Sequence, residues 1–295
     1  AHVFVTESTD KMCEFAGCFQ CSQCCTQLGR DQRYADIREC RVSTGARYLY
    51  SDRHLSAEHA LGLAEWDAVA AAARRSGRTL RVFENFMYYP PHRKAKELIA
   101  QGAIGEPISV RVKTAAGHPS GGWTVTPSSQ AWRTDPSRCG GGPTTFDHGY
   151  HCYNMARFFI PAEIERVHAF IHWFRLGEDS WYDGPALISW KYAGPMPRYG
   201  SWEVIGSLAM KVRSKYYVSD DRIEIHGTSG IIWVNRCTGQ LLDEPAVVLY
   251  ADGETRAFHG IDADWADSFR LGTRDFVEEA RHIRKGLSED ELELY

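Results

Sequence analysis

The chain has no apolar run approaching the roughly 20 residues that a membrane-spanning helix needs. It has no block of one charge sign either. Lys and Arg number 34 against 38 Asp and Glu, a formal net charge of -4, so neither nucleic acid nor an anionic membrane is an expected partner. There is no internal repeat of the kind that marks solenoids and propellers. The opening residues AHVFVTESTD have neither the basic start nor the apolar core of a secretory signal. The expected location is therefore the cytoplasm, where thiols stay reduced. Finally, no G-x-G-x-x-G string occurs among the 26 glycines, so the usual sequence mark of a pyrophosphate-binding turn is missing.

Cysteine is abundant but unevenly placed. Six of nine fall before residue 41: Cys13, Cys18, Cys21, Cys24, Cys25 and Cys40. Cys18-x-x-Cys21-x-x-Cys24 resembles the first part of an iron–sulfur ligand run, but Leu28 stands where the fourth cysteine belongs. The expectation is no metal, with Cys18, Cys21 and Cys24 as the alternative ligand set. Residues 1–50 form a cysteine-rich segment of unassigned structure. It reads as a poorly ordered stretch with free thiols, or as the product of an incorrect gene start or shifted frame.

From Ser56 the signals become regular. A helix from Ser56 to about Arg75, stopped by Gly77, leads into a short buried strand over Thr79–Phe83, a helix–strand unit of α/β type. Pro90 and Pro91 break that strand, and a second helix follows from about His92 to Ile99. Ile108–Lys113 alternates as a strand. Later strands are expected over Val167–Phe174, Ala186–Tyr192, Ser201–Ile205, Lys211–Val218, Arg222–His226, Ile231–Val234 and Ala246–Tyr250. Their turn-length links imply a mostly antiparallel sheet. A last amphipathic helix spans about Trp265–Arg284.

The stretch from Gly140 to His151 (GGGPTTFDHGYH) is where the chemistry concentrates. A glycine run breaks the chain and a helix is expected from near Thr144 to about Phe159. Asp147 and His151, four apart, would share one helix face. A carboxylate beside an imidazole poises a general base near neutral pH. Two plainer readings stay open. Thr144-x-x-Asp147 is a capping-box pattern, and His151 is then a surface ion-pair partner.

The ordered set of motifs resembles the glucose–fructose oxidoreductase, inositol dehydrogenase and MocA (Gfo/Idh/MocA) family. It begins with Glu84-Asn85-Phe86-Met87-Tyr88-Tyr89-Pro90, Lys94-Ala95-Lys96-Glu97-Leu98-Ile99 and Gly102-Ala103-Ile104-Gly105-Glu106-Pro107. It continues with Trp132-Arg133-x-Asp135, Gly140–Gly142, Asp147-x-x-x-His151, Glu224-x-His226-Gly227-Thr228-x-Gly230 and Trp265-x-x-Ser268-Phe269. The resemblance covers roughly residues 54–286. It implies an α+β chain: an open, mostly antiparallel sheet with helices on one face, preceded by the helix–strand remnant of a Rossmann domain. The implied division is residues 1–50, a remnant over 51–85, and a substrate and oligomerisation domain over 86–295.

The resemblance also implies NAD or NADP as cofactor, a sugar or polyol as substrate, and a homo-oligomer formed through the C-terminal sheet. His151 would accept the hydroxyl proton, with Asp147 orienting the substrate and tuning the imidazole. Tyr88, Trp132, Arg133 and Asn154 would line the substrate pocket, and Glu84 and Asn85 would lie on the cofactor side. Three departures stand out. The glycine-rich turn is missing, the family's Glu-Lys-Pro with its supporting lysine is absent, and Asn154 stands where the family often has Asp. The expectation is therefore an NAD(P)-dependent sugar or polyol oxidoreductase in truncated form. The alternative is a non-catalytic oligomerising or ligand-binding module derived from that family.

Overall fold

A computed structural model describes residues 2–5, 38–41, 47–50, 70–72, 74–75, 80–118, 122, 142, 144–175, 181–207 and 209–284. Two compact units divide the chain, residues 1–84 with 272–295, and residues 85–271. In the first unit β1 (His2–Val5) pairs with β4 (Leu80–Phe83), and β2 (Arg38–Arg41) pairs with β3 (Arg47–Tyr50). Both pairs are antiparallel, whereas a dinucleotide-binding sheet is parallel. Short helical pieces at 70–72 and 74–75 fall inside the helix expected there.

The second unit is built on an eight-stranded sheet, and the fold class is α+β as the motif order implies. Its strands are β5 (Pro107–Ala116), β6 (Ile164–Arg175), β7 (Trp181–Tyr192), β8 (Tyr199–Gly206), β9 (Ser219–Gly227), β10 (Gly230–Val234), β11 (Val247–Ala251) and β12 (Glu254–Phe258). Their order is β12-β11-β10-β9-β5-β8-β7-β6. Every neighbouring pair is antiparallel except β5 with β8. The sheet is therefore mixed at its centre, where β5 runs beside β8.

Alternation along each strand puts one face under the helices. Ile188, Trp202, Val112, Ile223, Val234 and Val247 form one row straight across six strands, and all six are buried. Residues between them, such as Arg111, Lys113, Leu187 and Lys191, point to the open face and are exposed. On the covered face lie α1 (Pro90–Ala100) and α2 (Gly149–Phe159). In α1 the two prolines occupy the first helical turn, where their missing N–H groups cost nothing, so the helix starts at Pro90 and not at His92. It ends at Gly102, whose φ of 75° is the left-handed conformation a helix stop needs. In α2 the buried residues Gly149, Cys152, Met155, Ala156 and Phe159 recur at helical spacing and make one stripe.

Two expectations are corrected. Lys211–Val218 forms no strand and keeps only an isolated bridge, Ser214 with Gly239. Its polar groups bond sideways to a loop: Gln240 N–H donates to the Arg213 carbonyl, and the Ser214 hydroxyl donates to the Thr238 carbonyl. Conversely β12 reads polar and was not expected; it is an edge strand whose residues are mostly exposed, so its sequence carries no alternation.

The same irregular segment anchors α3 (Ala266–Arg284). Asp264 accepts hydrogen bonds from Lys215 Nζ (2.8 Å), from the Ala266 N–H (3.0 Å) and from the Tyr216 hydroxyl. Lys215 first, then Tyr216 and Ala266, hold its carboxyl down at about 2. Since that lies below the ordinary value near 4, the stabilisation is present above about pH 4 and is lost as pH falls through about 2. Asp264→Asn keeps an acceptor for the helix start but not the charge. It is expected to lower stability near pH 6 by about 1 kcal/mol or less, the group being solvated, and to approach the parent as pH falls to 2. Denaturant midpoints at the two pH values test this; an undiminished gap at pH 2 would count against it.

Candidate active site

The turn before α2 is held from a distance. Asp183 on β7 is fully buried and accepts the N–H groups of Thr144 (2.8 Å) and Thr145 (2.6 Å) and the Thr145 hydroxyl. A side chain at Gly142 would meet the Asp183 carboxylate, with Oδ2 only 2.2 Å from the Cβ position, so glycine is required for the approach. The Thr144 carbonyl then accepts N–H bonds from His148 (3.1 Å) and Gly149 (2.8 Å), and α2 begins.

This revises the expected local geometry. The helix starts at Gly149, not near Thr144, and its N-cap residue is His148, which makes no capping side-chain bond. Asp147 therefore precedes the helix and is buried in the turn, with its N–H donated to the Gly142 carbonyl (3.1 Å). It does not share a helix face with His151. The capping role assigned to Thr144 and Asp147 passes to Asp183, which supplies the acceptors from 38 and 39 residues away.

His151 is half-buried in the first turn of α2 between two aromatic rings. Phe86 stacks on it at 4.1 Å between centroids and 20° between planes, and Tyr150 lies 4.0 Å away at 38°. Phe86 belongs to a 3-10 turn, Asn85–Tyr88, that leads into α1. That turn is tied to the start of α3. Asn85 Nδ2 donates to Ser268 Oγ (2.9 Å), the Phe86 ring meets Trp265 edge-on at 4.6 Å, and the Tyr89 hydroxyl donates to the Ala263 carbonyl (3.1 Å). Motifs from the two ends of the unit thus converge on the turn whose Phe86 stacks on the imidazole.

One functional arrangement escaped the sequence reading. His148 Nε2 lies 3.3 Å from Asp221 Oδ1 and 3.2 Å from Oδ2. Asp221 sits on β9 opposite Thr114 of β5, and the Thr114 hydroxyl donates to Asp221 Oδ1 (2.5 Å) while Trp202 Nε1 donates to the Thr114 oxygen (2.9 Å). Burial pushes the Asp221 carboxyl up. The His148 charge, the bonds from His148 and Thr114, and the His151 charge outweigh burial and leave it below the ordinary range. One close carboxylate–imidazole contact at this site is His148 with Asp221. Sequence spacing could not find it, because 73 residues separate the partners. Donor atoms of His148, Cys152 and Asp221 lie within 4.8 Å of one another.

The other expected site residues fall as follows. Tyr88 and Asn154 are half-buried, Tyr88 closing the 3-10 turn and Asn154 three residues after His151 on α2. Asn85 is buried with its amide donated to Ser268, and Glu84 is buried at the end of the first unit. Trp132, Arg133, Cys18, Cys21 and Cys24 lie outside the described residues.

Residues 92–233 match the family model of the GFO/IDH/MocA C-terminal domain, and residues 18–72 match that of the YdhW C-terminal domain. The chain is 28% identical over 160 residues to 1,5-anhydro-D-fructose reductase of Ensifer adhaerens, covering 54% of this chain and 42% of that protein. It is 28% identical over 192 residues to dTDP-3,4-didehydro-2,6-dideoxy-alpha-D-glucose 3-reductase of Actinomadura kijaniata, covering 64% and 51%. The chain thus spans about half the length of the relatives it matches. A solved oxidoreductase from Agrobacterium radiobacter, in complex with NAD+, L-tartaric acid and magnesium, shares the fold with a TM-score of 0.56 at 18% identity, over 78% of this chain and 62% of that one.

Gly149 tests how tightly α2 is seated. A Cβ there would lie 2.9 Å from Trp202 Cζ3. Alanine favours the helix by about 1 kcal/mol at most, whereas overpacking a rigid ring costs about 1–3 kcal/mol. Gly149→Ala is therefore expected to destabilise, and the same change in a Trp202→Phe background to be neutral or stabilising. Thermal midpoints of the four proteins decide it; a stabilising Gly149→Ala beside intact Trp202 would refute the packing argument.

Proposed function

This chain belongs to the Gfo/Idh/MocA family through its C-terminal domain, and on that premise we propose that it is the substrate-handling part of an NAD(P)-dependent oxidoreductase acting on a secondary alcohol of a sugar or polyol. The observation that carries the reading is the setting of His151. His151, in the first turn of α2, is stacked by Phe86 of the 3-10 turn, and that turn is itself tied to Trp265 and Ser268 at the start of α3. In this reading His151 accepts the hydroxyl proton, and Asp147 orients the substrate in the turn just before it. Tyr88, Asn154, Trp132 and Arg133 contribute the pocket. Glu84 and Asn85 stand on the cofactor side.

The residues present do not by themselves fit a dinucleotide. Pyrophosphate binding needs a glycine-rich turn between a strand of a parallel sheet and a helix. No G-x-G-x-x-G occurs in the sequence, and the described β1–β4 pair is antiparallel. The proton side of the reaction is therefore the part assigned to this chain's residues, and cofactor binding by the chain alone is weak. The same observation favours a second reading, a non-catalytic oligomerising or ligand-binding module derived from the family. In either case self-association uses the open face of the sheet, where Phe170, Leu187 and Tyr199 are exposed beside Lys191.

Nine tryptophans make cofactor binding easy to follow by fluorescence. Titration with NAD+ and NADP+ separates the readings: micromolar affinity overturns the module, and no binding at millimolar cofactor overturns catalysis by this chain alone. Where turnover is measurable, His151→Ala is expected to abolish it and Asp147→Asn to lower it by orders of magnitude. Unchanged rates in both variants would refute the assigned roles.

A further inference from the structure

His148 is the N-cap residue of α2, with φ of -80° and ψ of -31°, and Cys152 follows four residues later in the helix. Asp221 approaches His148 from β9. Cys152 and Asp221 are buried, while the His148 side chain keeps 24% of its surface open to solvent. The three donor atoms lie within 4.8 Å of one another. In a tetrahedral zinc site, bonds of about 2.0–2.1 Å to nitrogen and oxygen put those two atoms about 3.3 Å apart, and a sulfur at about 2.3 Å lies about 3.5 Å from each. The observed separations from His148 Nε2 to the Asp221 oxygens, 3.2 and 3.3 Å, already equal one edge of that polyhedron. Closing the site asks for a shift of at most about 1.3 Å by the Cys152 sulfur, the difference between 4.8 Å and the edge of about 3.5 Å.

The surroundings are those of a ligand set. The Thr114 hydroxyl holds Asp221 Oδ1, and Trp202 Nε1 holds Thr114 in turn, so the carboxylate is oriented by a two-step chain of donors. Such outer partners fix metal-binding carboxylates and imidazoles elsewhere. We propose that His148, Cys152 and Asp221 bind one divalent first-row cation of the zinc type, with water in the fourth position on the open side of His148. One nitrogen, one sulfur and one oxygen suit zinc or cobalt and not magnesium or calcium, which take oxygen ligands. The cation would pin the start of α2 to the centre of the sheet. These three ligands are not cysteines of the N-terminal segment, and the proposal does not rest on the oxidoreductase reading.

Cobalt(II) is the probe. The full chain, stripped with a chelator and kept reduced, is titrated with Co2+ and then with Zn2+. The expected result is one high-affinity equivalent with a thiolate-to-cobalt charge-transfer band and the visible bands of a four-coordinate ion, both erased by zinc. Cys152→Ser should remove the charge-transfer band. A variant with Cys13, Cys18, Cys21, Cys24, Cys25 and Cys40 all changed to Ser should retain it. Asp221→Asn should weaken cobalt at least tenfold. Should the substituted proteins not fold, bound zinc should still protect Cys152 of the unaltered chain from alkylation, read by peptide mass. No band at millimolar Co2+, a band that survives Cys152→Ser, unchanged affinity in Asp221→Asn, or unprotected Cys152 would each overturn the proposal.

Discussion

Asp183 is the constraint on which the site rests. It is fully buried, and its carboxylate oxygens are met by two backbone N–H groups and one hydroxyl, all from the two threonines before α2. A buried carboxylate is costly unless its oxygens are hydrogen-bonded. The turn over 144–148 is therefore bound to the spot where β7 holds Asp183. From that point the geometry propagates by short links. The turn sets the first residue of α2, Gly149 lets the helix settle on Trp202, and the helix start then carries His148 to Asp221 and His151 to Phe86.

Much of the sheet was legible in the sequence, because alternation is a local signal and one face of this sheet is buried. Strands β5 to β11 all overlap expected ones, and both helices on the covered face were anticipated within a few residues, apart from the late start of α2. What was not legible depends on partners far along the chain. The beginning of α2 follows from Asp183, so a local capping pattern pointed to the wrong first residue. Lys211–Val218 alternates only in part, and its polar groups are claimed by the loop over 238–243 and by Asp264, so no ladder forms. The parallel pairing of β5 with β8 places strands about 90 residues apart side by side, and no turn signal encodes that.

The family motifs acquire a physical reason once their contacts are seen. Glycines at 105 and 227 belong to motifs far apart in sequence, yet a Cβ at Gly227 would strike the Ile104 carbonyl, and Gly105 needs a positive φ beside Thr228 and Ser229. The Ser229 N–H donates to the Ile104 carbonyl and the Thr228 N–H to the Glu106 carbonyl. In the same way Asn85 and Ser268 belong to the first and last motifs of the unit and meet in one buried hydrogen bond. Order and spacing of such motifs reflect which segments must touch. That explains why their sequence order pointed to the fold although no single motif was specific.

Two histidines three residues apart have different surroundings. His148 faces a carboxylate that is buried, oriented by Thr114 and held below the ordinary range, so a positive partner is strongly favoured there. An imidazolium or a divalent cation meets that demand, and either one commits His148 to Asp221. His151 has aromatic rings stacked beside it and keeps part of its surface open. Stacking fixes the plane of an imidazole, and the charge of this ring also bears on Asp221. The two rings therefore bear on the same buried carboxylate in different ways, His148 by direct contact and His151 through its charge.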